Sequence, residues 1–151
     1  STFEENSKIK AVAVMEPSGL PAIADDSGVA VDALHGDPGV HSARYGGEAC
    51  KTDEDRNRLL LQNMENVPDG SRGAQFVSVI TMAYPDGKIV SARGELHGEI
   101  LRQAQGNGGF GYDPLFYIPS EGCTMAELTP ERKNEISHRA VALRNFVDRL
   151  R

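Results

Sequence analysis

The stretch Leu20-Pro21-Ala22-Ile23-Ala24-Asp25-Asp26-Ser27-Gly28 decides the fold prediction, because an apolar run gives way there to two adjacent carboxylates. Leu20–Asp25 is predicted to form a buried strand, and residues 29–34 a second extended segment. Neighbouring side chains of an extended chain point to opposite faces, so one of the two acids can enter a given cleft. A paired acid at a strand exit, followed by a glycine, suits a site for Mg²⁺ and phosphate. The same residues also favour a solvated turn, so the motif alone leaves both interpretations open.

Two helices are predicted in the first half of the chain. Thr2 and Glu5 fit a capping box for the first, and the segment Pro17-Ser18-Gly19 should end it. The second is expected to begin at a Thr52 cap, with acids in its first turn, and to run to about Met64. The apolar stripe of the first helix is predicted to comprise Phe3, Ile9, Ala13 and Val14.

The second half of the chain carries hairpin, loop and helix signals. Phe76–Tyr84, a Pro-Asp-Gly turn and Lys88–His97 predict a strand, a turn and a strand. Glycine-rich segments predict a long loop over 36–47 and another over 106–111. A short helix is expected near 127–134, since Thr129 and Pro130 form an N-terminal signal, and Ser137 should cap a final helix. The buried face of that last helix is predicted to comprise Leu143, Phe146, Val147 and Leu150.

Strands interleaved with helices predict an α/β or α+β domain, in which a mixed β-sheet is flanked by helices. The 151 residues are about one domain long, and we expect a single domain over 1–151. The longest nearly apolar run, 76–84, is far shorter than the roughly 18 residues of a membrane span. A cytoplasmic protein is therefore expected.

Charge and cysteine content narrow the classes of function. The net charge of −6 argues against broad nucleic-acid binding, which needs a basic surface. A single nucleotide needs only a few local cations and a metal, so it stays compatible with that charge. Cys50 and Cys123 lack the spacing of a zinc site and are predicted to be free thiols.

Several separated motifs occur in one order along the chain. They are Gly108-Gly109-Phe110-Gly111-Tyr112-Asp113-Pro114, Lys133-Asn134-Glu135-Ile136-Ser137-His138-Arg139-Ala140, Thr2-Phe3-Glu4-Glu5-Asn6, Pro38-Gly39-Val40-His41-Ser42-Ala43-Arg44-Tyr45 and Ala126-Glu127-Leu128. Together with the acidic motif they resemble the Ham1 family, also called the inosine triphosphate pyrophosphatase family. The similarity extends from residue 1 to about residue 150.

This resemblance implies a Mg²⁺-dependent enzyme, a homodimer, that converts ITP, dITP and XTP to the monophosphate and pyrophosphate. It also implies that the chain starts beyond the family's first strand and its amino-terminal phosphate-binding segment. A nucleotide-binding remnant without hydrolytic activity is therefore an alternative. An aspartyl phosphatase is disfavoured, because it would need Asp-x-Asp spacing on one strand face.

The resemblance assigns the phosphate end of the site to four residues. Glu5 and Asp26 would hold Mg²⁺, with Asp26 also the catalytic general base, and Lys10 and Ser27 would contact phosphates. Each has a structural alternative: Glu5 as the capping acid, Lys10 on a solvated helix face, and Ser27 in a turn. Asp25 is either a supporting partner of Asp26 or a plain strand-end residue.

The resemblance also assigns a base pocket in the second half of the chain. Two aromatic rings would stack on the base without selecting it. Arg139 would select it, because a guanidinium only donates hydrogen bonds and suits a carbonyl at purine position 6. The alternative for His138 and Arg139 is an exposed first helical turn, although two cations there oppose the helix dipole. The expected substrate-binding residues of this pocket are Phe110, Gly111, Tyr112, Asp113, Lys133, His138 and Arg139.

Overall fold

Helix α1 spans Phe3–Ser18, and both of its ends follow the predicted signals. In this computed structural model, which describes residues 2–151, the Thr2 side chain accepts a hydrogen bond from the Glu5 N–H at 3.0 Å. Gly19 ends the helix with a left-handed φ of 67°, a conformation that glycine adopts without steric cost.

The buried face of α1 differs from the predicted stripe. Phe3, Ser7 and Ala11 are buried, at the four-residue spacing that places side chains on one face of a helix. Ser7 can take a core position because its hydroxyl lies 2.6 Å from the hydroxyl of Thr81. The predicted stripe is wrong for three of its members, which are exposed: Ile9, Ala13 and Val14.

Strand β1 (Ala22–Val31) runs through the acidic motif instead of ending at it. The predicted strand exit at Asp25 and Asp26 is therefore wrong. The extended segment predicted over 29–34 is not separate, and it is extended only as far as Val31, where β1 ends. A 3-10 turn, Asp32–Leu34, follows the strand. The local turn preference of Asp, Ser and Gly is overridden by pairing within the sheet. The prediction that the strand over 20–25 is buried is also wrong at its start, since Leu20 and Ile23 are 64% and 57% exposed.

Within residues 2–151 the sheet contains five strands in the order β1-β2-β3-β4-β5. The strands after β1 are β2 (Gly73–Ala83), β3 (Ile89–Ile100), β4 (Phe116–Ile118) and β5 (Cys123–Thr124). β4 pairs antiparallel with both β3 and β5. β2 and β3 form the predicted hairpin, in which the Tyr84 N–H donates to the Lys88 carbonyl at 2.9 Å. A sheet combined with helices confirms the predicted α/β, or α+β, fold class.

Three further helices begin at the predicted caps. They are α2 (Asp53–Asn63), α3 (Pro130–Ile136) and α4 (His138–Arg149). At the start of α2, Thr52 accepts from the Asp55 N–H at 3.1 Å and the Asp55 carboxylate accepts from the Thr52 N–H at 3.3 Å. Ser137 accepts from the Ala140 N–H at the start of α4. These caps satisfy backbone donors that have no partner inside the helix.

Helix α4 buries a narrower face than predicted. Ala142 and Phe146 are buried. A Cβ at Gly94 of β3 would clash with the α4 backbone at Ala142, so the glycine permits a close approach of strand and helix. The predicted face is wrong for three residues, which are exposed: Leu143, Val147 and Leu150.

The predicted loop over 36–47 is partly regular. It contains the 3-10 segment Gly39–Arg44, and a second one, Gly47–Ala49, begins at its last residue. The Ser42 hydroxyl accepts a hydrogen bond from the Val29 N–H at 2.9 Å, which ties the segment to β1. The glycine-rich stretch 106–111 contains neither helix nor strand, as predicted.

Contacts divide the chain into two compact units. Unit 1 comprises Ser1–Ser27, Val77–Leu96 and Asn134–Arg151, and unit 2 comprises Gly28–Phe76 and His97–Lys133. In unit 2 the Phe76 and Phe116 rings stack with their centroids 4.2 Å apart. The single domain expected from chain length stays a prediction.

Two sequence expectations concern membranes and thiols. No helix in the described part of the chain is long and apolar enough to cross a membrane. Cys50 and Cys123 are both free thiols, which confirms that prediction.

Candidate active site

Asp26 and Lys10 form an ion pair inside unit 1. The Lys10 ammonium lies 3.0 Å from Asp26 Oδ1 and also donates to the Asp25 carbonyl at 3.1 Å. The Asp26 side chain is 12% exposed, whereas Asp25 is an exposed residue. Strand alternation therefore turns one acid of the pair inward, as the sequence predicted. The Lys10 side chain is 54% exposed, so it lies on a solvated helix face, as its structural alternative had it, and is also paired with the motif.

The second carboxylate oxygen of Asp26 has a different environment. Oδ2 is buried, and among residues 2–151 it has no hydrogen-bond partner. A buried acceptor left unpaired costs about 1–3 kcal/mol, and more when it is charged. Such an atom is suited to bind a cation or to accept a proton from water.

Glu5 lies one turn into α1. Its contact with the Thr2 hydroxyl is long, 3.4 Å, and the residue is exposed, so capping leaves the carboxylate accessible. No group of three or more His, Cys, Asp or Glu side chains able to hold a metal is present in the described chain. Mg²⁺ commonly takes one or two protein carboxylates together with water and substrate phosphates. In the number and kind of ligands, the carboxylates of Glu5 and Asp26 meet that requirement.

Ser27 points its hydroxyl along the sheet. It donates to the Ser78 hydroxyl on β2 at 3.2 Å, and Ser78 is buried. Ser27 is therefore part of a strand, and the turn that was its structural alternative does not form. Ser78 was not identified from the sequence, since no local signal links a residue of β2 to the acidic motif.

In unit 2 the carboxylate of Asp113 connects the glycine-aromatic loop to α3. Its Oδ2 accepts from the Phe110 N–H at 3.1 Å and from the Lys133 ammonium at 2.9 Å. The Lys133 ammonium also lies 5.1 Å from the centroid of the Phe110 ring, within cation–π range. Gly109 has a φ of 74°, and a Cβ there would clash with the Asp113 carboxylate, so the loop requires glycine.

The two aromatic residues of this loop have different environments. Phe110 is 61% exposed, whereas Tyr112 is 6% exposed and donates to the Ser42 carbonyl at 2.6 Å. Burial raises the pKa of the Tyr112 hydroxyl well above its usual range. The expectation of two accessible aromatic faces is therefore wrong for Tyr112, which anchors the loop.

His138 and Arg139 occupy the first turn of α4, in unit 1. His138 is half-buried and Arg139 is exposed, and both residues make contacts in the structure. The structure thus groups the predicted residues into sets. Glu5, Lys10, Asp26, Ser27, His138 and Arg139 belong to unit 1, and Phe110, Gly111, Tyr112, Asp113 and Lys133 belong to unit 2.

Two residues of α2 also contact the glycine-aromatic loop, and neither was identified from the sequence. Asp53 accepts from the Gly111 N–H at 2.9 Å, and Asn57 donates to the Gly111 carbonyl at 3.1 Å. Their four-residue spacing indicates that both side chains lie on one face of a helix. It does not indicate that this face contacts a loop more than fifty residues away.

The comparisons with known proteins agree with these motifs. The model of the Ham1 family matches residues 1–149. The chain belongs to the Ham1 family. A solved Ham1 protein from Coxiella burnetii has 44% sequence identity and a TM-score of 0.93, with 99% of this chain and 77% of the other covered.

Two curated relatives carry the name dITP/XTP pyrophosphatase. The one from Geobacter sulfurreducens is 52% identical over 149 residues, covering 99% of this chain and 74% of its own length. The one from Thermus thermophilus is 51% identical over 148 residues, covering 98% and 70%. This Ham1 chain therefore spans about three quarters of the length of such relatives.

Proposed function

We propose that this Ham1 chain hydrolyses purine nucleoside triphosphates with non-standard bases, namely ITP, dITP and XTP, to the monophosphate and pyrophosphate. The names of relatives that share about half of its residues support the reaction. The structural observation that carries the proposal is the Asp26 carboxylate, with Oδ1 paired to Lys10 and Oδ2 buried without a partner. This arrangement combines a cation for phosphate with a carboxylate oxygen that has no partner of its own in the described chain.

Glu5 and Asp26 are the residues that would hold Mg²⁺. When bound, the ion would neutralise phosphate charge and help to orient the triphosphate. The protein would supply these two carboxylates, and water and substrate phosphates would supply the other ligands, as is common for Mg²⁺. We propose Mg²⁺ as the ion.

Asp26 is also the proposed general base. When Lys10 moves to the phosphates it would free Oδ1, so that one oxygen of the Asp26 carboxylate would hold Mg²⁺ and the other would accept a proton from water. The water oxygen would attack the α-phosphorus, and the bond from that phosphorus to the bridging oxygen would break and release pyrophosphate. A positioned general base contributes about 10²- to 10⁴-fold to such a step. Lys10 and Ser27 are proposed to contact the phosphates.

The base would be bound by stacking and read at its edge. Phe110, the exposed ring of the loop, is proposed to stack on the purine, with Lys133 beside it. Gly111, Tyr112 and Asp113 shape that loop. On the ground of the family resemblance, Arg139 and His138 are also proposed to contact the nucleotide, Arg139 by donating to the 6-carbonyl.

The test is product analysis with ITP and Mg²⁺. We expect IMP and pyrophosphate in equal amounts, with loss of turnover when EDTA removes the divalent ion and recovery when Mg²⁺ returns. Release of inorganic phosphate instead of pyrophosphate would contradict the proposal. Tight binding of ITP without any product would favour the nucleotide-binding alternative.

Two finer expectations also remain proposals. We infer that the chain forms a homodimer and acts in the cytoplasm, on the ground of its family resemblance. The mass of the particle in solution and the location of a tagged chain in cells test these two statements separately.

A further inference from the structure

Helix α2 holds the glycine-aromatic loop by both backbone groups of one residue. The Gly111 N–H donates to Asp53 Oδ2 at 2.9 Å, and the Gly111 carbonyl accepts from Asn57 Nδ2 at 3.1 Å. Asp53 and Asn57 are four residues apart on α2, so both side chains lie on one face of the helix. We call this pair of contacts the α2 clamp.

The clamped residue is one that needs an external restraint. Gly111 has a φ of 60° and follows a stretch that contains Gly106, Gly108 and Gly109. Glycine adopts left-handed and right-handed conformations about equally well, so such a stretch has many accessible states. Hydrogen bonds to both backbone groups of Gly111 select one of them.

The clamp residues are themselves held in a manner that favours this role. Asp53 Oδ1 accepts from Arg56 at 2.9 Å, which orients the carboxylate while Oδ2 contacts the loop. Asn57 Oδ1 is buried and has no hydrogen-bond partner in the described chain. A half-satisfied buried amide is unfavourable for stability.

We propose that Asp53 and Asn57 are positioning residues that fix Phe110 for stacking on the purine base. This inference rests on the proposed function. Phe110 directly precedes Gly111, and its ring is largely exposed, so its orientation depends on the backbone of the loop. On the other side of Phe110, its own N–H is fixed by Asp113. The two restraints bracket the ring.

The first experiment measures kcat and KM for ITP in single variants. Asp53→Ala and Asn57→Ala are each expected to raise KM about fivefold or more, with a smaller change in kcat, since stacking of a base on an aromatic ring contributes mainly to binding. Asp53→Asn should recover most of the loss, because its amide oxygen can still accept from the Gly111 N–H. Glu54→Ala, an exposed acid of the same turn, is the matched control and should leave KM unchanged.

A double-mutant cycle tests whether the clamp acts through Phe110. In a Phe110→Ala background, Asp53→Ala should cause little further rise in KM, because the ring that it positions is gone. Rises in KM that multiply in the double variant would overturn the proposal. So would a rise in KM from Glu54→Ala equal to that from Asp53→Ala.

Hydrogen exchange tests the α2 clamp without any substrate, and therefore independently of the proposed reaction. Deuterium uptake of a peptide covering 106–113 should be faster in Asp53→Ala and Asn57→Ala than in the unaltered chain and in Glu54→Ala. Asn57→Asp, which keeps the volume but loses the donor, replaces Asn57→Ala if that variant does not fold. If ITP is not hydrolysed, the proposed function fails while the exchange result still stands. Unchanged uptake in the clamp variants would overturn the clamp whatever the substrate.

Discussion

Arg139 is the residue on which the proposed selectivity depends. Its guanidinium donates hydrogen bonds and cannot accept them. ITP and XTP carry an acceptor at purine position 6, whereas ATP carries an amino donor there. If the bound base covers the Arg139 side chain, which is exposed without it, a donor facing a donor costs about 1–3 kcal/mol, which corresponds to about 5- to 150-fold in kcat/KM.

Arg139→Ala is therefore expected to lower kcat/KM for ITP and to leave the poor value for ATP nearly unchanged. The ratio of kcat/KM for ITP to kcat/KM for ATP should therefore lose most of its value. Both constants are measured from initial rates of pyrophosphate release. GTP also has the 6-carbonyl, so Arg139 cannot explain discrimination against GTP, which must come from another contact. The kcat/KM for GTP is therefore the internal control. An equal proportional loss for ITP and ATP would show that Arg139 serves phosphate binding or structure.

At the scale of elements, the capping box of α2 couples the start of the helix to pH. The Asp55 pKa is held below its usual value, mainly by the hydrogen bond from the Lys51 N–H at 3.0 Å and also by the Thr52 cap. A lowered pKa in the folded state means that the contribution to stability is present above pH 3.8 and is lost as the pH falls through the lowered pKa.

We expect Thr52→Ala to reduce the free energy of unfolding by about 0.5–2 kcal/mol at pH 7. Asp55→Ala should also destabilise at pH 7, but its difference from the unaltered chain should shrink on acidification below pH 3.8. Urea unfolding at several pH values measures both effects, and Glu54→Ala is again the matched control. A difference for Asp55→Ala that stays constant down to about pH 2 would contradict this interpretation of the capping box.

The elements that the sequence predicted well are those with local signals. The caps Thr2, Thr52 and Ser137 act through the first turn of their own helices, and the turn after β2 is set by a few adjacent residues. β1 was predicted poorly, because turn-forming residues there are held extended by the rest of the sheet. Ser7 takes a core position through a hydroxyl more than seventy residues away. Local hydrophobicity could not indicate either outcome.

The candidate site likewise contains features that local sequence motifs predict and features that depend on contacts between distant residues. The acidic motif, Lys10 and the glycine-aromatic loop were identified from the sequence through family motifs. The α2 clamp and Ser78 were missed, because each acts through a contact between distant parts of the chain. The different environments of Phe110, which is exposed, and Tyr112, which is buried, likewise could not be predicted from the sequence, because burial depends on the fold.

For the whole molecule, exposed apolar surface is concentrated in unit 1. Apart from Phe110, the large apolar side chains found exposed in the described residues belong to that unit. β1, at one end of the strand order, carries Ile23 with 57% exposure. A sheet edge beside exposed apolar side chains favours association with another chain.

We therefore expect the particle mass to exceed that of the 16.3 kDa chain and to rise with concentration in light scattering. Ile23→Lys should weaken this association, because a charge on an edge strand opposes edge pairing. Phe110→Lys, at the exposed apolar residue of unit 2, is the control and should leave the mass unchanged. A monomer mass at all concentrations would contradict both this expectation and the proposed homodimer.

The role of Asp26 as the general base is tested by comparing pyrophosphate release from ITP in the variants Asp26→Asn and Asp25→Asn at saturating Mg²⁺. We expect Asp26→Asn to lose about 10²-fold or more in kcat. Asp25→Asn, at the neighbouring exposed position of the same strand, should stay close to the unaltered chain, because the Asp25 contact with Lys10 comes from its backbone carbonyl. Turnover by Asp26→Asn equal to that of Asp25→Asn would contradict the assignment of Asp26 as the base.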